Sequence, residues 1–373
     1  MSETRLFTPL KIGNIELQHR IGMAPLTRLR NTADRTPTPM MKEYYSQRAA
    51  VPGTLIITEG TMVSRAAAGG FPHGPGIWSE KQIAAWKSIT DEVHRKEGFI
   101  YMQLFAFGRA ANTELAASEG IEIVAPSEIP IPQDEKPGAP TPRAMTIDEI
   151  KQTVVHFQVA AKNAMAAGFD GVEVHGANGY LLDQFLQDNS NQRADEYGGS
   201  IQNRSRLLHE VLNAVVEAIG PERVGLRLSP WSRFQGMRMQ DPIPQFSDVV
   251  EKANRLGLAY LHLIEPRIFG ATDDPKSATE SLDFVYERWN GPILVAGGYG
   301  AADAQRLVDE QHPDRNIVVI FGRHFISNPD LVYRLREGLE FAKYNRETFY
   351  VHGAESGYVD YPFSEQYLAS VGA

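Results

Sequence analysis

GFDGVEVHGANGYLLDQFLQ, Gly168 to Gln187, is the stretch on which the reading of the fold turns. Asp170 to Val174 is short, β-branched and bounded by glycine, which predicts a buried strand. His175, Asn178 and Tyr180 follow on a Gly-punctuated turn, and Leu181, Leu182, Phe185 and Leu186 then resume at helical spacing. Three polar groups therefore stand just past the carboxyl end of a strand, where barrel and open-sheet enzymes place their chemistry. Neutral His and Asn can each donate a hydrogen bond to one substrate oxygen, and Tyr supplies a weak acid. With no Cys in the chain and no Ser-His or paired-carboxylate arrangement here, the set suits carbonyl polarisation and proton delivery rather than nucleophilic hydrolysis. A lone His in a β-α loop is more often structural; three such groups within six residues favour a site.

Working outward, the chain alternates strand and helix. Lys11–Leu17 alternates around a Gly-Asn turn and predicts a small hairpin able to plug one end of a barrel as a lid. Strands are expected at Arg20–Ala24, Thr54–Thr58, Phe99–Leu104, Asp170–Val174, Val224–Leu228, Tyr260–Ile264, Pro292–Ala296 and Ile317–Phe321. Helices are expected at Met40–Ala50, Glu80–Lys96, Ser200–Ile219, Pro244–Leu256, Leu282–Trp289 and Ala301–Glu310, with a last one near Pro329. Thr146-Ile-Asp-Glu149 is a capping box, opening a helix that runs to about Ala167. Between Gly108 and Thr146 regularity stops, which predicts an excursion at the catalytic face after the third strand, with its own short hairpin. Eight strand–helix units predict an α/β protein, a (β/α)8 TIM barrel, in a single domain over 1–373. A doubly wound sheet is the alternative, but neither a G-x-G-x-x-G nor a P-loop anchors one.

Composition narrows the function. The 373 residues carry a net charge of -9 and no Lys/Arg run, which argues against nucleic acid as a partner. No apolar run approaches membrane-spanning length. Zero cysteines exclude disulfides, thiolate metal sites and a thiol nucleophile. Met1–Leu10 lacks a basic segment followed by an apolar one, so no secretory signal is expected and the location is expected to be cytoplasmic. His94, His156 and His209 fall in helices without ligand spacing, and no metal is expected.

In a barrel the strand ends converge on one face. The polar candidates there are Thr27, Glu59-Gly60, Gln103, His175 with Asn178 and Tyr180, Arg227, Glu265, Gly297-Gly298 and Gly322-Arg323. The seventh and eighth strands end in glycines plus one arginine. Glycine lets backbone N–H groups approach a phosphate, and Arg adds a forked donor. Gln103 and Arg227 suit the polar edge of a heterocycle. Each residue singly has a duller explanation, but the set points to a phosphorylated heterocyclic cofactor.

At these residues the chain resembles the Old Yellow Enzyme family of FMN-dependent ene reductases, over nearly its whole length. The resemblance is carried by Leu6-Phe7-Thr8-Pro9-Leu10, Met23-Ala24-Pro25-Leu26-Thr27-Arg28, Ile57-Thr58-Glu59-Gly60, Gln103-Leu104 and His175 through Leu181. It continues through Asn189–Arg204, Arg227-Leu228-Ser229-Pro230, Phe321-Gly322-Arg323, Asn328-Pro329-Asp330-Leu331 and Gly357–Pro362. It implies a non-covalent FMN: Thr27 on flavin O4, Pro25 and Gly60 as backbone neighbours of the ring, Gln103 facing the pyrimidine, and Arg227 near N1 and O2. Gly297, Gly298, Gly322 and Arg323 match the phosphate positions. His175 and Asn178 match the pair that holds the substrate carbonyl oxygen, Tyr180 the proton donor, and Phe105 and Tyr350 the substrate pocket. Thr27 stands where another branch has cysteine, Phe105 where some relatives have tryptophan, and Gly298 where some carry a bulkier residue, so substrate shape is left open.

What the resemblance implies is reduction of the C=C bond of an α,β-unsaturated carbonyl or nitroalkene, with NADPH as transient reductant. Similar fungal enzymes act in secondary metabolism, including on ergot-type aldehydes. The alternatives are isomerisation or nitro reduction on the same FMN barrel, and a flavin-free binding scaffold. Substrate, stereochemical face, nicotinamide preference and oligomeric state are not legible.

Overall fold

In the computed structural model, residues 4–269, 272–273 and 280–372 are described. Eight strands form one closed parallel sheet: β1 (Ile21–Met23), β2 (Leu55–Ile57), β3 (Phe99–Phe105), β4 (Gly171–Gly176), β5 (Val224–Leu228), β6 (Tyr260–Ile264), β7 (Ile293–Ala296) and β8 (Ile317–Phe321). Each is parallel to its neighbours, β8 pairs back onto β1, and the β2–β3 pairing completes the ring. Long outer helices include α1 (Pro39–Arg48), α2 (Glu80–Arg95), α3 (Ile147–Ala166), α4 (Ile201–Ile219) and α5 (Pro242–Leu256). This is the (β/α)8 barrel expected from the alternation.

The strands form because they are buried on both faces. All five residues of β5 and all five of β6 are buried, as parallel strands wrapped by helices require. Helix α4 presents Leu207, Leu208, Val211, Leu212 and Val215 to the sheet at helical spacing. Helix α3 starts where the capping box placed it: Glu149 N donates to Thr146 Oγ1 at 3.2 Å, and Thr146 N to Glu149 Oε2 at 2.8 Å. The amino-terminal hairpin pairs Leu10–Ile12 with Ile15–Leu17 in antiparallel register. Its four apolar side chains join Leu55, Ile57, Tyr101, Tyr260, Leu294 and Val318 in one buried cluster, so the hairpin stoppers the barrel.

Three expectations need correction. The excursion holds no antiparallel hairpin: Val124–Ala125 pairs in parallel with Arg143–Ala144. The long segment between them gives room for the return, and Arg143 pins it by bonding both Glu122 (2.7 Å) and Glu149 (2.6 Å). A helix at Thr113–Glu119 also lies in this segment, capped by the Asn112 side chain and ended by Gly120 at φ +66°. The helix expected over Leu282–Trp289 shortens to Asp283–Tyr286, and a helix at Glu365–Val371, capped by Ser364, was not foreseen. Among the described residues, no helix is long and apolar enough to cross a membrane.

Candidate active site

A cavity of about 580 Å³ opens at the carboxyl ends of the strands. Ten of the sequence candidates line it: Pro25 and Thr27 after β1, Asn178 and Tyr180 after β4, Arg227 on β5, Gly297 and Gly298 after β7, Gly322 and Arg323 after β8, and Tyr350 from the carboxyl-terminal segment. Four others lie against it. Gln103, Phe105 and His175 are buried, and a Cβ on Gly60 would lie 3.3 Å from the Phe105 ring and 3.4 Å from Gln103 Oε1. Phe105 packs edge-on against Tyr180, ring centroid to ring centroid at 4.4 Å.

The turn after β4 explains how the sequence aims Tyr180. Asn178 and Gly179 both adopt left-handed backbone, at φ +58° and +72°. Asn tolerates that region and Gly favours it. Asn178 N donates to Ser229 Oγ at 2.8 Å, its carbonyl accepts from Gln235 Nε2 at 2.8 Å, and Gly179 N donates to Asp183 Oδ2 at 2.8 Å. Gly179 also leaves no room for a side chain, since a Cβ there would fall 2.8 Å from that of Gln235. The chain is thereby turned so that Tyr180 packs edge-on against Phe105, with His175 at 5.3 Å from its ring.

Burial sets the proton inventory. It pushes the Tyr180 phenol up to about 12, with Tyr350 adding to the rise, while the nearby Gln235 and Arg227 pull the other way. Burial, then the nearby Arg227 and His262, hold the His175 imidazole well below its ordinary range, so it is neutral at pH 7. Tyr180 therefore keeps its proton, and His175 offers one N–H without carrying charge.

Several atoms fit a flavin-sized polar group. Arg227 Nε and His175 Nδ1 are buried with no hydrogen-bond partner, which is costly unless a ligand supplies one. At the far end, Gly298 sits at φ +65°, and a Cβ on Gly297 would come within 2.5 Å of Glu265 Cγ. These glycines put no side chain over the cavity wall they share with Arg323, whose guanidinium is steadied by Tyr344 (Nη1 to OH, 3.3 Å). These residues could cradle a phosphate, and Thr27, Gln103 and Arg227 a ring edge. His324, beside Arg323 on the cavity wall with Nδ1 unpartnered, was not picked out from sequence. Among the described residues no group of three or more His, Asp or Glu is gathered as a metal site would need.

Sequence reading also missed the clamp over the cavity mouth. Arg28, fully buried, donates to Phe349 O (3.1 Å), Tyr44 OH (3.2 Å) and Gly357 O (2.7 Å). Arg30 donates to Phe349 O and Thr348 O, both at 2.9 Å. Together they fasten the segment that carries Tyr350. The only sequence signal was two arginines close after Thr27, and their partners in the carboxyl-terminal segment lie some 320 residues away.

Comparison with known proteins agrees with this geometry. The model of the NADH:flavin oxidoreductase / NADH oxidase family matches residues 5–341. The chain is similar to chanoclavine-I aldehyde reductase fgaOx3 of Penicillium roqueforti, 51% identical over 373 residues and 99% of both chains. It is similar also to a probable inactive reductase, easA, of Epichloe festucae var. lolii, 49% identical over 377 residues, covering 99% of this chain and 97% of that one. Among solved structures, the Old Yellow Enzyme from Pichia sp. AKU4542 superposes with a TM-score of 0.90 at 40% identity, covering 98% of this chain and 95% of that one. The chain belongs to the NADH:flavin oxidoreductase / NADH oxidase family, as a flavin-dependent oxidoreductase of the Old Yellow Enzyme kind.

Proposed function

We propose that the chain, as one FMN-binding barrel domain over residues 1–373, is a cytoplasmic ene reductase that uses NADPH to reduce the C=C bond of α,β-unsaturated carbonyl compounds and nitroalkenes. When bound, non-covalent FMN would take two electrons from NADPH and pass hydride to the β-carbon of the alkene. The family match and the barrel support a flavin here, and the unpartnered Arg227 Nε and the glycine-lined end beside Arg323 support FMN in particular. Gly297, Gly298, Gly322 and Arg323 would hold its phosphate. Pro25, Thr27, Gly60, Gln103 and Arg227 would hold the ring.

One observation carries the reaction type: a neutral His175 with an unpartnered nitrogen beside a fully protonated Tyr180, with Tyr180 and Asn178 on the cavity wall. His175 and Asn178 would hold and polarise the carbonyl oxygen by hydrogen bonding, drawing electrons from the β-carbon. Tyr180 would then give its proton to the α-carbon. The aromatic residues Phe71, Phe234, Phe349 and Tyr350 around the mouth favour a flat, largely apolar substrate. The name of the reductase from Penicillium roqueforti favours an aldehyde among these.

The test is in two steps on purified protein: identify the flavin released on denaturation, then reduce the protein anaerobically with NADPH and add a panel of enals, enones and nitroalkenes. Release of FMN and rapid reoxidation by at least one of them is the expected result. FAD, no flavin after reconstitution, or a flavin that every alkene leaves reduced would overturn the proposal.

A further inference from the structure

Two layers of inward-facing side chains lie next to the cavity, and they are set by strand register. Gln103 on β3, Glu173 on β4, Gly225 on β5 and Tyr260 on β6 are lateral neighbours in the sheet. His175, Arg227 and His262, each two residues further along its strand, form the next layer on the same face. Glu173 is fully buried and ringed by donors: Gln103 Nε2 at 2.8 Å on Oε1, and Tyr260 OH at 3.1 Å and His262 Nδ1 at 2.8 Å on Oε2. The Tyr260 bond crosses β5 because position 225 is glycine; a Cβ there would fall 2.2 Å from the phenol ring. A carboxylate only accepts, so His262 carries a proton on Nδ1, while its Nε2 has no partner; burial lowers this imidazole below its ordinary range, with Glu173 opposing.

This arrangement does two things. It fixes Gln103: with Nε2 spent on Glu173, the amide oxygen is turned away as an acceptor, on the side of Gly60. It also balances charge: burial disfavours the Arg227 cation, and the Glu173 carboxylate is the largest of the groups that oppose this. A buried carboxylate with three donors is an expensive feature that apolar packing would make unnecessary, so its placement calls for a use.

We infer that Glu173 is a positioning residue for the cofactor, orienting the Gln103 amide and offsetting the Arg227 charge so as to hold down the reduction potential of the bound flavin. The inference rests on the reading above that FMN occupies the cavity, with Gln103 and Arg227 at its ring. With Glu173 neutralised, the Arg227 charge stands alone beside the ring and favours the electron-rich reduced state.

The test is the two-electron midpoint potential of the FMN holoenzyme, by anaerobic dye-coupled reduction. Glu173→Gln should shift the oxidised/reduced equilibrium at least tenfold toward the reduced form, about 30 mV upward for a two-electron couple. Tyr260→Phe removes one donor and keeps the charge, so the carboxylate offsets Arg227 more strongly and the potential should move down. Circular dichroism of each variant checks folding; if Glu173→Gln fails to fold, the sign of the Tyr260→Phe shift decides. A yellow wild type with an unmoved or lowered potential in Glu173→Gln, or an unmoved or raised one in Tyr260→Phe, overturns the role of Glu173 alone. A wild type that binds no FMN overturns the functional reading and this inference with it.

Discussion

Replacing Tyr180 by Phe removes a single oxygen, and the structure says what else it would disturb. The ring packs edge-on against Phe105 at 4.4 Å and stands 5.8 Å from Phe107 and 5.3 Å from His175, contacts that phenylalanine retains. Because burial keeps the phenol protonated up to about pH 12, the wild type carries the transferable proton at any ordinary pH. Loss of a positioned general acid slows its step by about 10²–10⁴, or about 2.7–5.4 kcal/mol of barrier. That loss should fall entirely on the reaction of reduced enzyme with an enone, while reduction by NADPH stays within about twofold of wild type. Nitroalkenes should lose less, since the nitronate is stable before protonation. Stopped-flow traces of flavin colour in each half-reaction measure this directly. Equal slowing of both halves would mean damaged pocket geometry, and no slowing with an enone would remove Tyr180 from the reaction.

Other perturbations test other parts of the account. Arg323→Ala should weaken FMN binding about tenfold to a hundredfold, as loss of a charged hydrogen bond of roughly 1.5–3 kcal/mol implies; equal affinity at matched ionic strength would place the phosphate elsewhere. Gly297→Ala forces a methyl against Glu265, and should cost about 1–3 kcal/mol by overpacking while lowering FMN affinity, read by thermal melts with and without FMN. The enone half-reaction should show no inflection between pH 6 and 7, because His175 is already neutral there, and no alkaline fall below pH 10, because Tyr180 titrates near 12. Burial lowers His19 to about 3, so below pH 6.5 the unfolded chain takes up a proton that the folded chain refuses, and this stability is lost as pH falls. His19→Gln removes that dependence. Its stability relative to wild type, from urea titrations, should therefore shift by about 2 kcal/mol in favour of wild type between pH 5 and pH 7.

The barrel was legible because its signals are local. Strands such as Val224–Leu228 are short apolar runs bounded by turns, and helices such as Ile147–Ala166 announce themselves by a capping box. The cavity-lining residues were legible for the related reason that a barrel puts strand ends on one face, so position along a strand stands in for position in space. What escaped depends on contacts remote in sequence. Nothing near Arg28 or Arg30 points to Phe349 or Gly357, and a buried arginine reads like any surface one. Glu173 sits in the middle of an apolar run, and its role appears only when register brings Gln103 and Tyr260 beside it. The helix at Thr113–Glu119 is a different case. Its cap, Asn112, and its left-handed stop, Gly120, were both in view, and the surrounding Pro, Ala, Ser and Glu outweighed them.

The central claim is that hydride reaches the β-carbon by way of the cofactor and that Tyr180 delivers a proton to the α-carbon. Isotope tracing tests both at once: run turnover of a simple enone with NADPH deuterated at C4 in ordinary water, then with ordinary NADPH in D2O, and locate the label by NMR. The account predicts deuterium at the β-carbon in the first case and at the α-carbon in the second, with the α-label formed at least a hundredfold more slowly in Tyr180→Phe. Solvent deuterium at the β-carbon, reductant deuterium at the α-carbon, or an enone recovered without reduction would contradict it.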